Sequence, residues 1–197
     1  MTLARTTARG ALLTLLSLLL TAGVASASSS AKVPPLVFPV LGEATYIDDF
    51  GDARAQGAHE GNDLMAPRHA LALAAEAGTV KFHITSSRAG CMLYLEGLSG
   101  TEYLYIHLNN DLTPENDNQG GCVPGVAFTK GLKSGAKVLA GEPIGYVGDS
   151  GDAQGGPPHD HFEFHPNSMP SGWPVSYYGY SAIGTALNPY PLIVDAC

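Results

Sequence analysis

The sequence predicts an all-β, mainly antiparallel domain with long loops. Short β-prone runs recur from Leu36 onward, each cut off by glycine or proline, of which the chain has 24 and 14. No stretch places apolar residues at helical spacing over three turns, and no internal repeat is present. One pair of runs forms a clear hairpin, 91–96 and 101–108, joined through Gly97-Leu98-Ser99-Gly100. At 197 residues the chain has the length of one domain with a real core.

Residues 1–27 read as a secretory signal. Arg5 and Arg9 make a positive start, 11–20 is an apolar run broken only by Thr14 and Ser17, and Ala25-Ser26-Ala27 offers small residues for cleavage. The apolar run is short of the ~20 residues a spanning helix needs, and no later segment is long enough either. The protein is therefore expected to be exported, with no membrane span after signal removal. Residues 28–35 form a Ser/Pro-rich flexible lead-in, and 36–197 is expected to be one folded domain.

Without Arg5 and Arg9 the chain keeps 8 basic residues against 18 acidic ones. That balance excludes nucleic acid as a partner, because its binders carry a basic patch or stripe. Nor can it hold an anionic polymer by charge attraction alone. Nothing here sets an oligomeric state.

The expected strands are 36–40, 71–74, 79–85, 91–96, 101–108, 137–139, 143–147 and 159–165. On 101–108, Leu104, Ile106 and Leu108 alternate with Tyr103, Tyr105 and His107. The aliphatic set is expected to face the core, leaving His107 beside the two tyrosines on the other face. Residues 109–130 are a polar excursion rich in turn formers, read as a long loop that is either a wall of a substrate groove or a tolerated insertion.

Three cysteines remain, with no C-x-x-C spacing to suggest a zinc knuckle. If the hairpin turns near Leu98 and Ser99, Cys91 lies opposite the neighbourhood of His107. The loop carrying Cys122 leaves from that same end. Cys91–Cys122 is the preferred bridge, with Cys197 unpaired, as an oxidising compartment would allow.

The chemistry concentrates in three places. In 159–165 successive side chains alternate, so His159, His161 and Glu163 share one face while Asp160, Phe162 and Phe164 take the other. Upstream, His59 and Asp63 flank Gly61-Asn62. In a straight strand they would stand about 13 Å apart, so the segment must bend if both are to reach one metal ion. His107 is the third place. Alone, each has an ordinary reading as a surface strand or turn.

The ordered set H-x-x-x-D at 59–63, Tyr105-x-His107 and H-x-H at 159–161 after Gly155-Gly156-Pro157-Pro158 resembles the lysostaphin-type zinc metallopeptidases, which cleave peptide cross-links of bacterial cell walls. The resemblance runs from about Phe38 to His165 and includes Phe50-Gly51, Ala77-Gly78-Thr79-Val80 and Gly141-Glu142-Pro143-Ile144-Gly145. Asn188-Pro189-Tyr190 in the tail also fits. It implies a lysostaphin-like β-sheet peptidase domain with loops forming a substrate groove, its core at about 38–165 and a packing tail at 167–197. It further implies one Zn2+ held by His59, Asp63 and His161, with His107 and His159 as catalytic histidines acting on a peptidoglycan peptide. Three protein ligands leave a fourth tetrahedral position for water, as a catalytic zinc needs. Glu163 and Tyr105 are candidates to orient an imidazole or line the groove.

Two departures stand out. Where the family has an apolar residue this chain has Asp160, which is expected to lie near solvent or to be paired. The 109–130 excursion is long. His69, His83 and His165 match no ligand and read as surface residues. Two other functions compete. Gly148-Asp149-Ser150-Gly151 resembles the nucleophile box of chymotrypsin-like proteases, but Asp152 follows where that box has glycine. A catalytically silent domain of the same fold, binding cell wall and regulating other hydrolases, is the second.

Overall fold

The computed structural model describes residues 36–166 and 182–197, so the expected signal segment, the lead-in and part of the tail lie outside the described residues. Nearly all regular structure is antiparallel sheet, as the interrupted β-prone runs predict. The strands are β1 (Ala53–Arg54), β2 (Gly57–Ala58), β3 (Asn62–Met65), β4 (Leu71–Leu73), β5 (Gly78–His83), β6 (Cys91–Gly97), β7 (Thr101–Leu108), β8 (Lys137–Val138), β9 (Pro143–Tyr146), β10 (His159–Pro166), β11 (Ala182–Ile183) and β12 (Ala186–Leu187). A short helix, α1 (Tyr190–Asp195), ends the chain. None of the described helices is long and apolar enough to cross a membrane.

The main sheet runs β11-β12-β10-β7-β6-β5-β8, with β3 also paired to β10. β10 is its axis. β7 lies along one edge of it, with His161 opposite Ile106. The other edge is shared by β3 near the start and β12 near the end. Phe162 and Phe164 point from β10 into the core, packing with Tyr103, Tyr105, Leu93 and Leu95. The histidine face of β10 borders an open groove, with His161 and Glu163 buried and His159 half-buried.

Two strand expectations change. Residues 36–40 form no strand and contribute only a bridge from Val40 to Ala72. On β7 the faces are reversed as far as Ile106: Tyr103 and Tyr105 belong to the main core, while Leu104 and Ile106 pack with Met92 on the opposite side. Of the aliphatic set, Leu108 lies in the main core as expected. The cause is hydrogen bonding. Tyr105 buries its ring completely because its hydroxyl donates to the Leu73 carbonyl at 2.8 Å and accepts the Ala75 N–H at 2.7 Å. Tyr103 likewise reaches Glu76. A tyrosine with its hydroxyl satisfied is as good a core residue as leucine, and larger. Tyr105 is thus a core residue and not a groove candidate.

The expected disulfide is present. Cys91 and Cys122 are bonded, and Cys197 is free. The bridge closes a loop of 31 residues, which stabilises the fold by about 3.5 kcal/mol in the chain-entropy estimate. It fits an oxidising space.

The 109–130 excursion is anchored at both ends, although most of its middle is exposed. Arg68, mostly buried, pairs with both Asp111 and Asp149, whose side chains are fully buried. Asn116 adds a bond to Asp149, and the Asn118 amide donates to Asp111. Phe128 closes the segment inside the core. These contacts turn the excursion away from the histidine face, and none of its residues lines the groove described below. It is not a wall of that groove.

Candidate metal centre

Three donor atoms converge at the start of β10. β3 and β10 are in register with Asp63 directly opposite His161, so their side chains are cross-strand neighbours. His59 lies outside β3, beyond the bend that the four-residue spacing requires. The bend works because Gly61 has no side chain: a Cβ there would sit 2.5 Å from the Phe162 carbonyl and 2.8 Å from His161 Nε2. His59 Nε2 is 2.8 Å from His161 Nδ1, and Asp63 Oδ1 is 3.1 Å from each. Tetrahedral zinc ligands with bonds near 2.1 Å stand roughly 3.4 Å apart. The trio needs to open by only a few tenths of an ångström.

Hydrogen bonding fixes which nitrogens face inward. His59 Nδ1 is 2.9 Å from the Asp49 carbonyl, which only accepts, so Nδ1 carries the proton. His161 Nε2 donates to Glu163 Oε1 at 2.9 Å. In those tautomers the inward nitrogens, His59 Nε2 and His161 Nδ1, present lone pairs to each other and to a carboxylate oxygen. That arrangement calls for positive charge at its centre, either a proton on His161 Nδ1 or a metal cation in its place. The residues fit a zinc ion on this test.

The electrostatics agree. Burial disfavours charge on His161, but its bonds to Asp63 and Glu163 outweigh burial and hold its pKa up at about 9. The field that favours a proton there favours a dication. Asp63 is partly buried, yet the His161 and His59 rings hold its carboxyl well below the usual range. Burial opposes charge on Glu163 too, while His161 and His165 pull it down to about 2.

The other two expected histidines stand beside the trio. The His107 and His159 ring centroids are 5.1 Å apart, and His107 is 6.0 Å from His161. Each donates Nδ1–H to a backbone carbonyl: His107 to Ser150 at 2.8 Å and His159 to Pro157 at 2.9 Å. Each therefore turns an Nε2 lone pair outward. Burial, reinforced by the nearby His159 and His161 rings, pushes His107 down to about 4 and keeps it neutral. His107 reaches this face through a β-bulge. Ile106 and His107 together oppose Met92 between the Cys91–Leu108 and Leu93–Tyr105 pairs, and His107 takes a left-handed φ of 63°. A bulge re-aims one side chain across the sheet. Strict alternation, which placed His107 beside the tyrosines, fails there.

All five residues and Glu163 line an open groove of about 720 Å³. One wall is the β1–β2 hairpin with Arg54 and Glu60. The other holds Ser86, Arg88 and Asp152. Glu163 is buried and bonded to two imidazoles, not exposed. Its second partner is His165, at 2.6 Å, so His165 is a half-buried member of the site and not a surface residue. His69 and His83 are also half-buried, with His69 Nε2 enclosed and unpartnered. Asp160 departs furthest from expectation. It is fully buried, neither oxygen makes a full hydrogen bond, and burial raises its carboxyl well above the usual range despite partial support from the Ile106 backbone.

Arg54 and Asp49 carried no sequence signal. Arg54 Nη2 donates to Asp63 Oδ2 at 3.1 Å and to Asp49 Oδ2 at 3.0 Å. Asp63 thus offers Oδ1 inward and has Oδ2 occupied. The only hint in the chain is Phe50-Gly51 next to Asp49, part of the resemblance.

No family model matches the chain. The L-Ala–D-Glu endopeptidase of Bacillus subtilis (strain 168) is 26% identical over 148 residues, 71% of this chain but 40% of that protein. The chain thus spans less than half the length of that relative. The catalytic domain of the antimicrobial peptidase lysostaphin from Staphylococcus simulans is 20% identical and superposes with a TM-score of 0.53, covering 77% of this chain and 92% of the other. A chain of the SpoIIIAH–SpoIIQ complex is 18% identical, TM-score 0.52, covering 79% and 98%. The chain has the lysostaphin-type peptidase fold.

Proposed function

We propose that the protein is a secreted zinc-dependent endopeptidase that hydrolyses amide bonds in the stem peptides or cross-bridges of peptidoglycan. In this reading 1–27 is its signal segment and 36–197 its single peptidase domain. The observation that carries the proposal is the convergence of two imidazole lone pairs and one Asp63 oxygen on an open groove, with two further histidines beside them.

His59, Asp63 and His161 would hold one zinc ion. When bound, it supplies Lewis acidity toward a water molecule and the scissile carbonyl. His107 is neutral, is locked in the Nδ1–H form and presents Nε2 to the groove. It is suited to take the proton of the attacking water. His107 can then return that proton to the leaving amine, and His159, once it carries a proton on its outward Nε2, can donate to the oxyanion. Glu163 orients His161, and Arg54 holds Asp63 with one oxygen inward. The groove is open enough to admit an extended peptide.

The serine-protease alternative loses its support. The Ser150 hydroxyl is buried, accepts the Cys91 N–H and donates to the Leu108 carbonyl, so it is not free to attack a substrate. A silent wall-binding domain has no use for a complete donor set beside two outward imidazoles.

The test is bound zinc in the purified protein, together with mass spectrometry of peptidoglycan digested with and without a metal chelator. One zinc per chain and chelator-sensitive release of new amine termini are expected. The bond named for the Bacillus subtilis relative, L-alanyl–D-glutamate, is the first to examine. Folded protein that lacks zinc and leaves the wall intact would favour the silent domain.

A further inference from the structure

Apart from the Ser150 carbonyl that receives His107, the Gly148-Asp149-Ser150-Gly151 stretch has no part in the scheme above, yet it is built tightly against that imidazole. Cys91 and Leu108 are paired residues at the adjoining ends of β6 and β7. The Ser150 hydroxyl joins them, accepting from the Cys91 amide at 2.9 Å and donating to the Leu108 carbonyl. One small group serves as both donor and acceptor. Ser150 is 2% exposed, so no water replaces either bond. Its own carbonyl then receives the His107 Nδ1–H at 2.8 Å.

The surrounding chain leaves this carbonyl little freedom. The Asp152 amide donates to the Arg88 carbonyl at 2.8 Å, and the His107 amide donates to Ala89 at 3.1 Å. A Cβ on Gly90 would collide with Ser150 Oγ, and one on Gly151 with the Arg88 carbonyl. Both glycines have positive φ. The 86–90 turn and the 148–152 loop are therefore interlocked backbone to backbone, with Ser150 as the shared post.

We propose that Ser150 is a positioning residue for His107: its hydroxyl anchors the carbonyl that holds the imidazole in the Nδ1–H tautomer with Nε2 toward the groove. The proposal rests on the reading of His107 as a reacting group. A loop released from Cys91 and Leu108 lets the ring rotate or exchange tautomers, and a displacement of about 1 Å can lower turnover ~100-fold. Serine is needed because alanine removes the bonds to both Cys91 and Leu108, whereas threonine keeps the hydroxyl.

The experiment compares wild type, Ser150→Ala and Ser150→Thr in the zinc-loaded protein. It measures kcat and KM on a stem peptide, bound zinc, and the ring 15N shifts of His107 at pH 7. Expected for Ser150→Ala are a kcat lowered ~10- to 100-fold, KM within about twofold, unchanged zinc and a His107 signal shared between tautomers. Ser150→Thr should keep the wild-type tautomer and recover most of kcat. A Ser150→Ala protein that keeps the Nδ1–H ring and wild-type kcat overturns the proposal, as does one that loses zinc along with activity. Should that variant not fold, the wild-type spectrum decides, because an Nε2–H ring contradicts the assignment. Full activity in His107→Ala, with the tautomer still dependent on Ser150, would instead fail the catalytic reading and leave the positioning intact.

Discussion

Replacing Glu163 by glutamine is the sharpest probe of how the proposed zinc-binding trio is held. The wild-type carboxylate accepts two N–H donors, His161 Nε2 at 2.9 Å and His165 Nε2 at 2.6 Å, one on each oxygen. An amide of the same shape offers one acceptor and one NH2 group. One imidazole must then face a second donor. The shorter bond belongs to His165, which competes for the remaining oxygen and leaves His161 opposed by N–H. His161 also loses a neighbouring negative charge that favours a cation on its far side. Partners of this kind are worth roughly 10- to 100-fold in metal affinity, about 1.4–2.7 kcal/mol. Competition with a chromophoric zinc chelator at pH 7 measures the change directly. Zinc affinity within twofold of wild type in Glu163→Gln would refute the idea that this carboxylate supports the ligand set.

Other outcomes follow from buried groups away from the donor atoms. His107 is held down to about 4, whereas the unfolded chain takes a proton near the ordinary 6.5. Its contribution to stability is therefore complete above pH 6.5 and is lost as pH falls toward 4, by up to about 3 kcal/mol. Denaturant unfolding at pH 7 and 4.5 should show a shallower acid loss in His107→Ala, and an identical loss would contradict the assignment. Asp160→Val should stabilise the fold by about 1–3 kcal/mol at pH 7, because it removes a buried carboxyl that makes no full hydrogen bond; destabilisation would mean that the Ile106 backbone holds it more firmly than this. Arg68→Ala should cost about 3–5 kcal/mol by leaving Asp111 and Asp149 buried without their cation. It should also open 109–130 to proteolysis, so resistance equal to wild type would sink the view of Arg68 as its anchor.

What the sequence reveals and what it hides divide along physical lines. The H-x-H strand is legible because its period of two places His159, His161 and Glu163 on one face without reference to distant residues. The Cys91–Cys122 pair is legible because a hairpin fixes which ends of a chain lie together. The bend at Gly61 follows from ligand spacing alone. β7 misleads for two reasons: tyrosines with satisfied hydroxyls take the core side, and a bulge switches the alternation just before the end. Neither can be seen without knowing that Leu73, Ala75 and Met92 are neighbours. Arg54 and Asp49 act across the fold through contacts to His59 and Asp63, so no local pattern marks them, and the pattern around Ser150 points to a different chemistry. Asp160 is visible as a departure, but its complete burial depends on the packing of β3 and β7 against β10.

The central claim is that His161 binds metal and His159 does not. Zinc content and release of wall fragments, measured side by side in His161→Ala and His159→Ala, test it most directly. The account predicts that His161→Ala loses zinc and activity together, while His159→Ala retains zinc near one ion per chain and loses activity. Full zinc in His161→Ala, or loss of zinc in His159→Ala, would contradict it.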